Sequence, residues 1–249
     1  MDELKNALYS SFIDKNIVSA KEQRARLVYN DYKENMKMSN ELQHLLKECD
    51  TFDISVAFIA ESGLAAIRET LNTLRNQNKK GRIITSTYLG FNEPKMFKDL
   101  LKYPNLEVRV FDDQKVFHPK GYIFRKDNYY QAIIGSSNLP QSALSENQEW
   151  NLFFTSTDQG EVITQIQKEF QKQWDMSVPL TKKWIEDYQK SYVKPVYPKH
   201  NHYSQEIKPN IMQQNALSSL STLRKENKDK ALLISATGTG KTYLSAFAA

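Results

Sequence analysis

The sequence holds a single cysteine, Cys49, among 249 residues. One thiol makes neither an intrachain disulfide nor a cysteine-rich metal site. No apolar run approaches the length of a membrane span. The opening stretch, MDELKNALYSSFIDKN, carries acidic side chains early and lacks the apolar segment of a secretory signal. Together these absences point to the cytoplasm. Histidine is scarce too: His44, His118, His200 and His202 are the whole set. No internal repeat is present. The remaining composition is ordinary for a globular chain, 40% hydrophobic and 25% charged. The length suits one large domain, or one domain and part of another. Lysine and arginine number 34 against 29 aspartates and glutamates, a net charge of +5. Such an excess permits a polyanionic partner without requiring one.

Residues 1–50 read as helices packing on the central domain. SNELQHLLKECD offers Ser39 or Asn40 as a cap and apolar positions at Leu42, Leu45 and Leu46. From residue 51 the pattern changes. FDISVAFIA predicts a buried strand, and GLAAIRETLNTLRNQNKKG an amphipathic helix closed by lysines and Gly81. RIITST, EPKMFKDLLKY and LEVRVF continue as strand, helix and strand. That order predicts an α/β fold with a mixed, mainly parallel sheet flanked by helices. GYIFRK and YYQAIIGS form a hairpin about Lys126-Asp127-Asn128; EWNLFFTS is a further strand. A helix from about Gln159 to Trp174 closes a domain spanning 51–180. Residues 181–208 alternate lysines and aromatics, broken by Pro195 and Pro198, and read as a linker, with a nucleic-acid-touching surface as the sharper alternative. His200 and His202 fall in it without the acidic or cysteine ligands a metal site needs.

From about residue 209 a new unit starts with the helix NIMQQNALSSLSTLRKEN, the strand ALLISA and the loop ATGTGKT. Gly238 and Gly240 let backbone amides approach phosphate oxygens. Lys241 can reach terminal phosphates and Thr242 can hold magnesium. Ser235 stands where the strict phosphate-loop pattern has glycine. The stretch resembles motif I of superfamily 2 helicases, and Gln213 resembles the glutamine that reads adenine there. The resemblance covers residues 209–249 and implies the start of a RecA-like domain. No acidic box for magnesium and water activation comes after it, so no ATPase turnover is expected from this chain. ATP and Mg²⁺ are expected only in a full-length helicase.

The central motif is VFHPKGYIF, residues 116–124. On a strand, positions two apart share a face, so His118 and Lys120 project together. In GSSN, Gly135 allows close approach, and Ser136 and Asn138 are again two apart. Glu149 opens the next strand. Alone, each residue has a plainer reading: a surface histidine, a solvated lysine, a turn asparagine, an exposed glutamate. Together they place a nucleophile or base, a cation, small donors and a carboxylate at neighbouring strand ends, a plausible site for a phosphodiester.

The order H-x-K, G-S-x-N and a later glutamate resembles the phospholipase D superfamily over roughly residues 50–176, most closely its nuclease branch. One position departs: Arg125 stands where many members carry an aspartate. The resemblance implies a metal-independent phosphodiesterase with no cofactor. His118 would attack phosphorus and form a phosphohistidine. Lys120, Ser136 and Asn138 would hold the non-bridging oxygens, and Glu149 would orient a histidine. A second histidine must protonate the leaving oxygen. The chain has one H-x-K, so the resemblance implies a homodimer with a composite site. A nuclease before a superfamily 2 motor resembles type IV, SauUSI-like restriction enzymes, with DNA as partner and a recognition domain further C-terminal. A non-catalytic dimerisation or DNA-docking domain is the alternative. A lipid phosphodiesterase and an autonomous ATPase fit less well, and no membrane partner is expected.

Overall fold

The computed structural model describes residues 2–31, 33–34, 36–111, 117–194, 209–233 and 241–248. The chain forms two compact units, Met1–Pro195 and Val196–Ala249. The first is built on eight strands: β1 (Arg26–Val28), β2 (Thr51–Val56), β3 (Lys80–Ser86), β4 (Leu106–Phe111), β5 (Lys120–Lys126), β6 (Tyr129–Gly135), β7 (Asn151–Thr157) and β8 (Val178–Pro179). Their order in the sheet is β1-β7-β6-β5-β2-β3-β4-β8. Helices α1 (Asp2–Phe12), α2 (Met38–Glu48), α3 (Glu61–Asn76), α4 (Pro94–Leu100), α5 (Gln141–Ser145), α6 (Glu161–Met176) and α7 (Lys182–Ser191) complete it.

The α/β class and the mixed sheet are as expected, but the sheet is mainly antiparallel rather than mainly parallel. Among the described strands, only β2–β3 and β3–β4 pair parallel. Those are the strands joined by helical crossovers, α3 and α4, which parallel pairing requires. The hairpin β5–β6 turns on Asp127 and Asn128, with Asp127 at φ 50°, and so short a turn permits only antiparallel pairing. β5 also runs antiparallel to β2, and β7 to β6.

Alternating strand residues build two cores. Phe52, Ile54, Tyr122, Phe124, Ile133 and Phe153 face one side with Leu42, Leu45, Leu46, Leu71 and Leu74 of α2 and α3. Ile84, Ile123 and Ala132 face the other, where α6 lays down Ile163, Phe170 and Trp174. Each buried side chain of this size contributes roughly 1.5–3 kcal/mol.

Four expectations are corrected. Residues 1–50 are not all helical: β1 adds to the sheet edge beside β7. Gly81 does not close α3 but lies in β3, where a Cβ would strike the Phe52 ring; Asn78, at φ 53°, follows the helix end instead. Neither Ser39 nor Asn40 caps α2, whose cap position is Lys37, without a side-chain hydrogen bond. The predicted linker begins with α7, whose Ile185 is buried and whose Trp184 and Tyr188 lie 5.0 and 5.5 Å from the Phe97 ring. The rest of that stretch, 195–208 with His200 and His202, lies outside the described residues.

In the second unit the expected helix forms as α8 (Ile211–Lys225), and α9 (Lys241–Ala248) comes after it. Of the predicted strand at 231–236, residues 231–233 are not in a strand and the remainder lies outside the described residues.

Candidate active site

Three chain segments meet at one end of the central strands. The β2–β5 pairing ends at Val56 opposite Lys120, and Ala57 N donates to Pro119 O at 3.2 Å. This register sets His118 level with Phe58. Asn138 arrives after β6 at the same residue: its Oδ1 accepts from Phe58 N at 3.4 Å, and Leu139 N donates to Phe58 O at 3.3 Å. His118 and Asn138 are thus brought together about a single backbone position.

Local chemistry explains the approach. Gly135 cannot carry a side chain, since a Cβ would lie 2.4 Å from Trp150 O and 2.5 Å from Asn151 Oδ1. Beyond it the chain is held from below. Ser137 N donates to Asn151 Oδ1 at 3.1 Å, Asn151 Nδ2 donates to Ser137 Oγ at 2.9 Å, and the buried Tyr122 hydroxyl donates to Ser137 O at 2.8 Å. Burial raises the Tyr122 phenol far above its usual range, so the hydroxyl stays a donor. With Ser137 facing inward and buried, Ser136 is left exposed at the site, while Asn138 is buried beneath it against Phe58.

Lys120 Nζ lies 2.7 Å from His118 Nδ1 and donates to His118 O at 2.8 Å. Burial holds the Lys120 ammonium below the usual lysine range, with the Glu149 carboxylate partly opposing the shift. Ser136 Oγ donates to Glu149 Oε2 in a short hydrogen bond and accepts from Trp150 N at 3.1 Å. His118 is exposed, and its ring meets Tyr88 edge-on at 6.1 Å between centroids. A basic nitrogen, a cation, the Ser136 hydroxyl and a carboxylate therefore share one accessible patch, with the buried Asn138 at its floor. Such a set can hold and attack a doubly esterified phosphate.

The Glu149 carboxylate meets the Ser136 hydroxyl, and no Glu149–His118 hydrogen bond occurs among the described residues. Lys120 already stands at the Nδ1 of His118. Arg125 sits at the far end of β5, exposed, about 16 Å from Lys120 at ~3.3 Å per strand residue.

Several positioning residues carry no signal in the sequence. Asn92 is buried, accepts from Ile59 N at 2.7 Å and donates to Thr85 Oγ1 at 2.9 Å, pinning the Ala57–Ile59 segment that receives His118 and Asn138. Asn151 does the same for Ser137.

No group of three or more His, Cys, Asp or Glu is placed to hold a metal among the described residues. In the second unit, Gln213 and Asn210 form a reciprocal cap at the start of α8, with Gln213 N to Asn210 Oδ1 and Asn210 N to Gln213 Oε1 both 2.9 Å. Gly238 and Gly240 lie outside the described residues. Lys241 and Thr242 begin α9, and their side chains lie outside the described atoms.

Residues 42–174 match the family described as cardiolipin synthase, PLD-like domain, and residues 206–249 match the type III restriction enzyme, res subunit. Among solved structures, the chain is similar to NucT from Helicobacter pylori, with 20% identity, 63% of this chain and 98% of that chain covered, and a TM-score of 0.50. It is also similar to the phospholipase D family member Nuc from Salmonella typhimurium, at 14% identity, 62% and 96% coverage and a TM-score of 0.48. A third similar structure is phosphatidylserine synthase from Haemophilus influenzae, at 15% identity, 84% and 48% coverage and 0.49. No curated protein matches the chain. No helix among the described residues is long and apolar enough to cross a membrane.

Proposed function

We propose, from the premise that this chain belongs to the PLD-like family, that it is a DNA endonuclease module hydrolysing phosphodiesters through His118 without a metal. The observation that carries the reading is the meeting of His118, Lys120 and Asn138 about Phe58 at one accessible sheet end.

A cationic Nζ only donates, so in the resting contact His118 Nδ1 accepts and a neutral imidazole carries its proton on Nε2. The form that gives a proton away is instead the imidazolium, protonated on both nitrogens. Attack through Nε2 requires the proton on Nδ1, so Lys120 must turn from the ring to the incoming phosphate. The phosphate oxygens offer its ammonium a better partner than a neutral nitrogen. A bond then forms between Nε2 and phosphorus while the P–O bond to the leaving oxygen breaks, and a second histidine, as imidazolium, delivers a proton to that oxygen and becomes a neutral imidazole. Water next attacks phosphorus, giving its proton to the second imidazole and releasing His118. Lys120, Ser136 and Asn138 hold the charge on the non-bridging oxygens. Glu149 sets the Ser136 hydroxyl and, once Lys120 has moved, is the carboxylate available to a histidine Nδ1–H.

One His-x-Lys per chain calls for a second copy, so the working enzyme is a two-fold homodimer with one His118 from each protomer. The similarity of residues 206–249 to a restriction-enzyme subunit supports placing the module in an ATP-dependent restriction helicase of the type IV kind. There Gln213, Gly238, Gly240, Lys241 and Thr242 would bind ATP and Mg²⁺.

Plasmid DNA incubated with the 249-residue chain in EDTA tests the reading. Wild type is expected to nick or linearise the plasmid and His118→Ala to leave it supercoiled. Cleavage that survives the substitution, or that needs added Mg²⁺, contradicts it. Sedimentation at micromolar concentration is expected to show a dimer, and a monomer alone contradicts the composite site.

A further inference from the structure

On the face covered by α6, one cross-strand row runs through three strands: Ser55 opposite Gly121, and Gly121 opposite Ile134. Gly121 puts no side chain into that row. A Cβ there would already press on Ile134 Cδ1 at 3.2 Å. The missing side chain leaves a hollow of about 350 Å³ with His118 and Lys120 at its edge and Ile134, Ile166 and Phe170 as walls. This volume falls at the low end of the roughly 300–1,000 Å³ typical of small-ligand sites.

The hollow is mainly apolar, and beyond His118 and Lys120 its polar lining is Ser55, Glu169 and Gln173. Ser55 Oγ donates to Gln173 Oε1 at 2.9 Å, and Gln173 Nε2 reaches the exposed Glu169 carboxylate at 3.4 Å. A half-buried carboxamide offers a donor and an acceptor side by side, the pattern that pairs with the edge of a nucleobase. The long Gln173–Glu169 bond is the contact a ligand most easily replaces. Apolar walls suit a flat heterocycle and not a second phosphate; an acyl chain would leave the carboxamide without use. The Tyr88 ring beside His118 has Phe91 next to it at 6.4 Å, and Phe91 has Phe58 at 5.2 Å, an aromatic surface of the kind on which bases stack.

We propose that the Gly121 hollow is a subsite for one unpaired nucleobase adjoining the phosphate attacked by His118, with Gln173 contacting its edge. The proposal rests on the nuclease reading and adds a substrate class: DNA whose base at the cut site is out of the duplex stack.

The test uses the full chain, end-labelled oligodeoxynucleotides, and bis(p-nitrophenyl) phosphate as a diester without bases. A single abasic residue is moved along a single strand. At one position beside the cleaved phosphate it is expected to slow cleavage about tenfold, the worth of one stacked base. A fully paired duplex is expected to be cut more slowly than the single strand. Gln173→Leu and Ile166→Trp are expected to remove the abasic effect while hydrolysis of the small diester stays at the wild-type level. An abasic scan without any such position overturns the proposal, as do variants that slow both substrates equally. Wild type that cleaves DNA without the abasic effect sinks the subsite and leaves the nuclease reading standing. Wild type inert on both substrates sinks the two together.

Discussion

The near end of β5 and the rest of the central sheet carry positive charge in contrasting ways. Level with the middle of β5 and two strands away, Arg82 of β3 grips Asp53 of β2 through two bonds of 2.7 Å and lies over Phe170 and Trp174 at 4.8 and 5.2 Å. At the far end of β5, Lys126 is paired with Glu48 at 2.8 Å. At the near end Lys120 is partly desolvated, yet its hydrogen bonds go to a histidine nitrogen and a carbonyl. The nearby carboxylate, Glu149, is hydrogen-bonded to Ser136. A cation matched to a carboxylate has its best partner already and serves the fold. A cation kept partly from water without one retains capacity for an anion from outside. The same strand thus separates the structural charge of Lys126 from the chemical charge of Lys120 by six residues.

Substitutions in the two regions should separate accordingly. Lys120→Ala is expected to slow cleavage about 10²–10³-fold, the usual loss of one charge-stabilising group. Its unfolding free energy should stay within about 0.5 kcal/mol of wild type. Cleavage rates across a pH series sharpen this. Burial lowers Lys120, so its charge is lost, and the rate falls, below the ~10.4 of a free lysine. Over that window the unfolded chain binds the proton more tightly, so this group makes stability rise with pH. A falling rate there is not explained by this group weakening the fold. Chemical denaturation should show the opposite pattern for Arg82→Ala, a stability loss of about 1 kcal/mol with cleavage unchanged. Arg125→Asp restores the residue that many phospholipase D relatives carry. It should leave the cleavage rate unaltered, because the position lies about 16 Å along the strand from Lys120. A large gain or loss of rate in that variant would break the separation of the two ends.

Much of the candidate site was legible because its residues stand two apart at strand ends, though only Lys120 lies in a strand: His118 comes just before β5, Ser136 and Asn138 after β6 and Glu149 before β7. His118 with Lys120, and Ser136 with Asn138, come directly from that period. Their supports were not legible. Asn92 and Asn151 act through partners such as Ile59 and Val28 that are remote in sequence, and a lone buried asparagine carries no local pattern. The fold behaved similarly. Long periodic elements such as α3, α6 and β5 could be read, whereas β1 and β8, three and two residues long, are too short to show a period. Trp184 and Tyr188, four apart on α7, carried a helical signal that the surrounding lysines obscured. Sheet direction was misjudged by extending the crossover pattern of β2–β4 past β4, where short connections take over.

The central claim is that His118 itself becomes bonded to phosphorus. Phosphate-labelled DNA mixed with the protein in EDTA, quenched rapidly in denaturant and resolved under denaturing conditions, tests it most directly. The expected result is label that migrates with the wild-type protein, is released by acid as phosphohistidine is, and is absent from His118→Ala. Cleaved product with no protein-bound label at any time in the wild-type reaction, or equal label on His118→Ala, would contradict it.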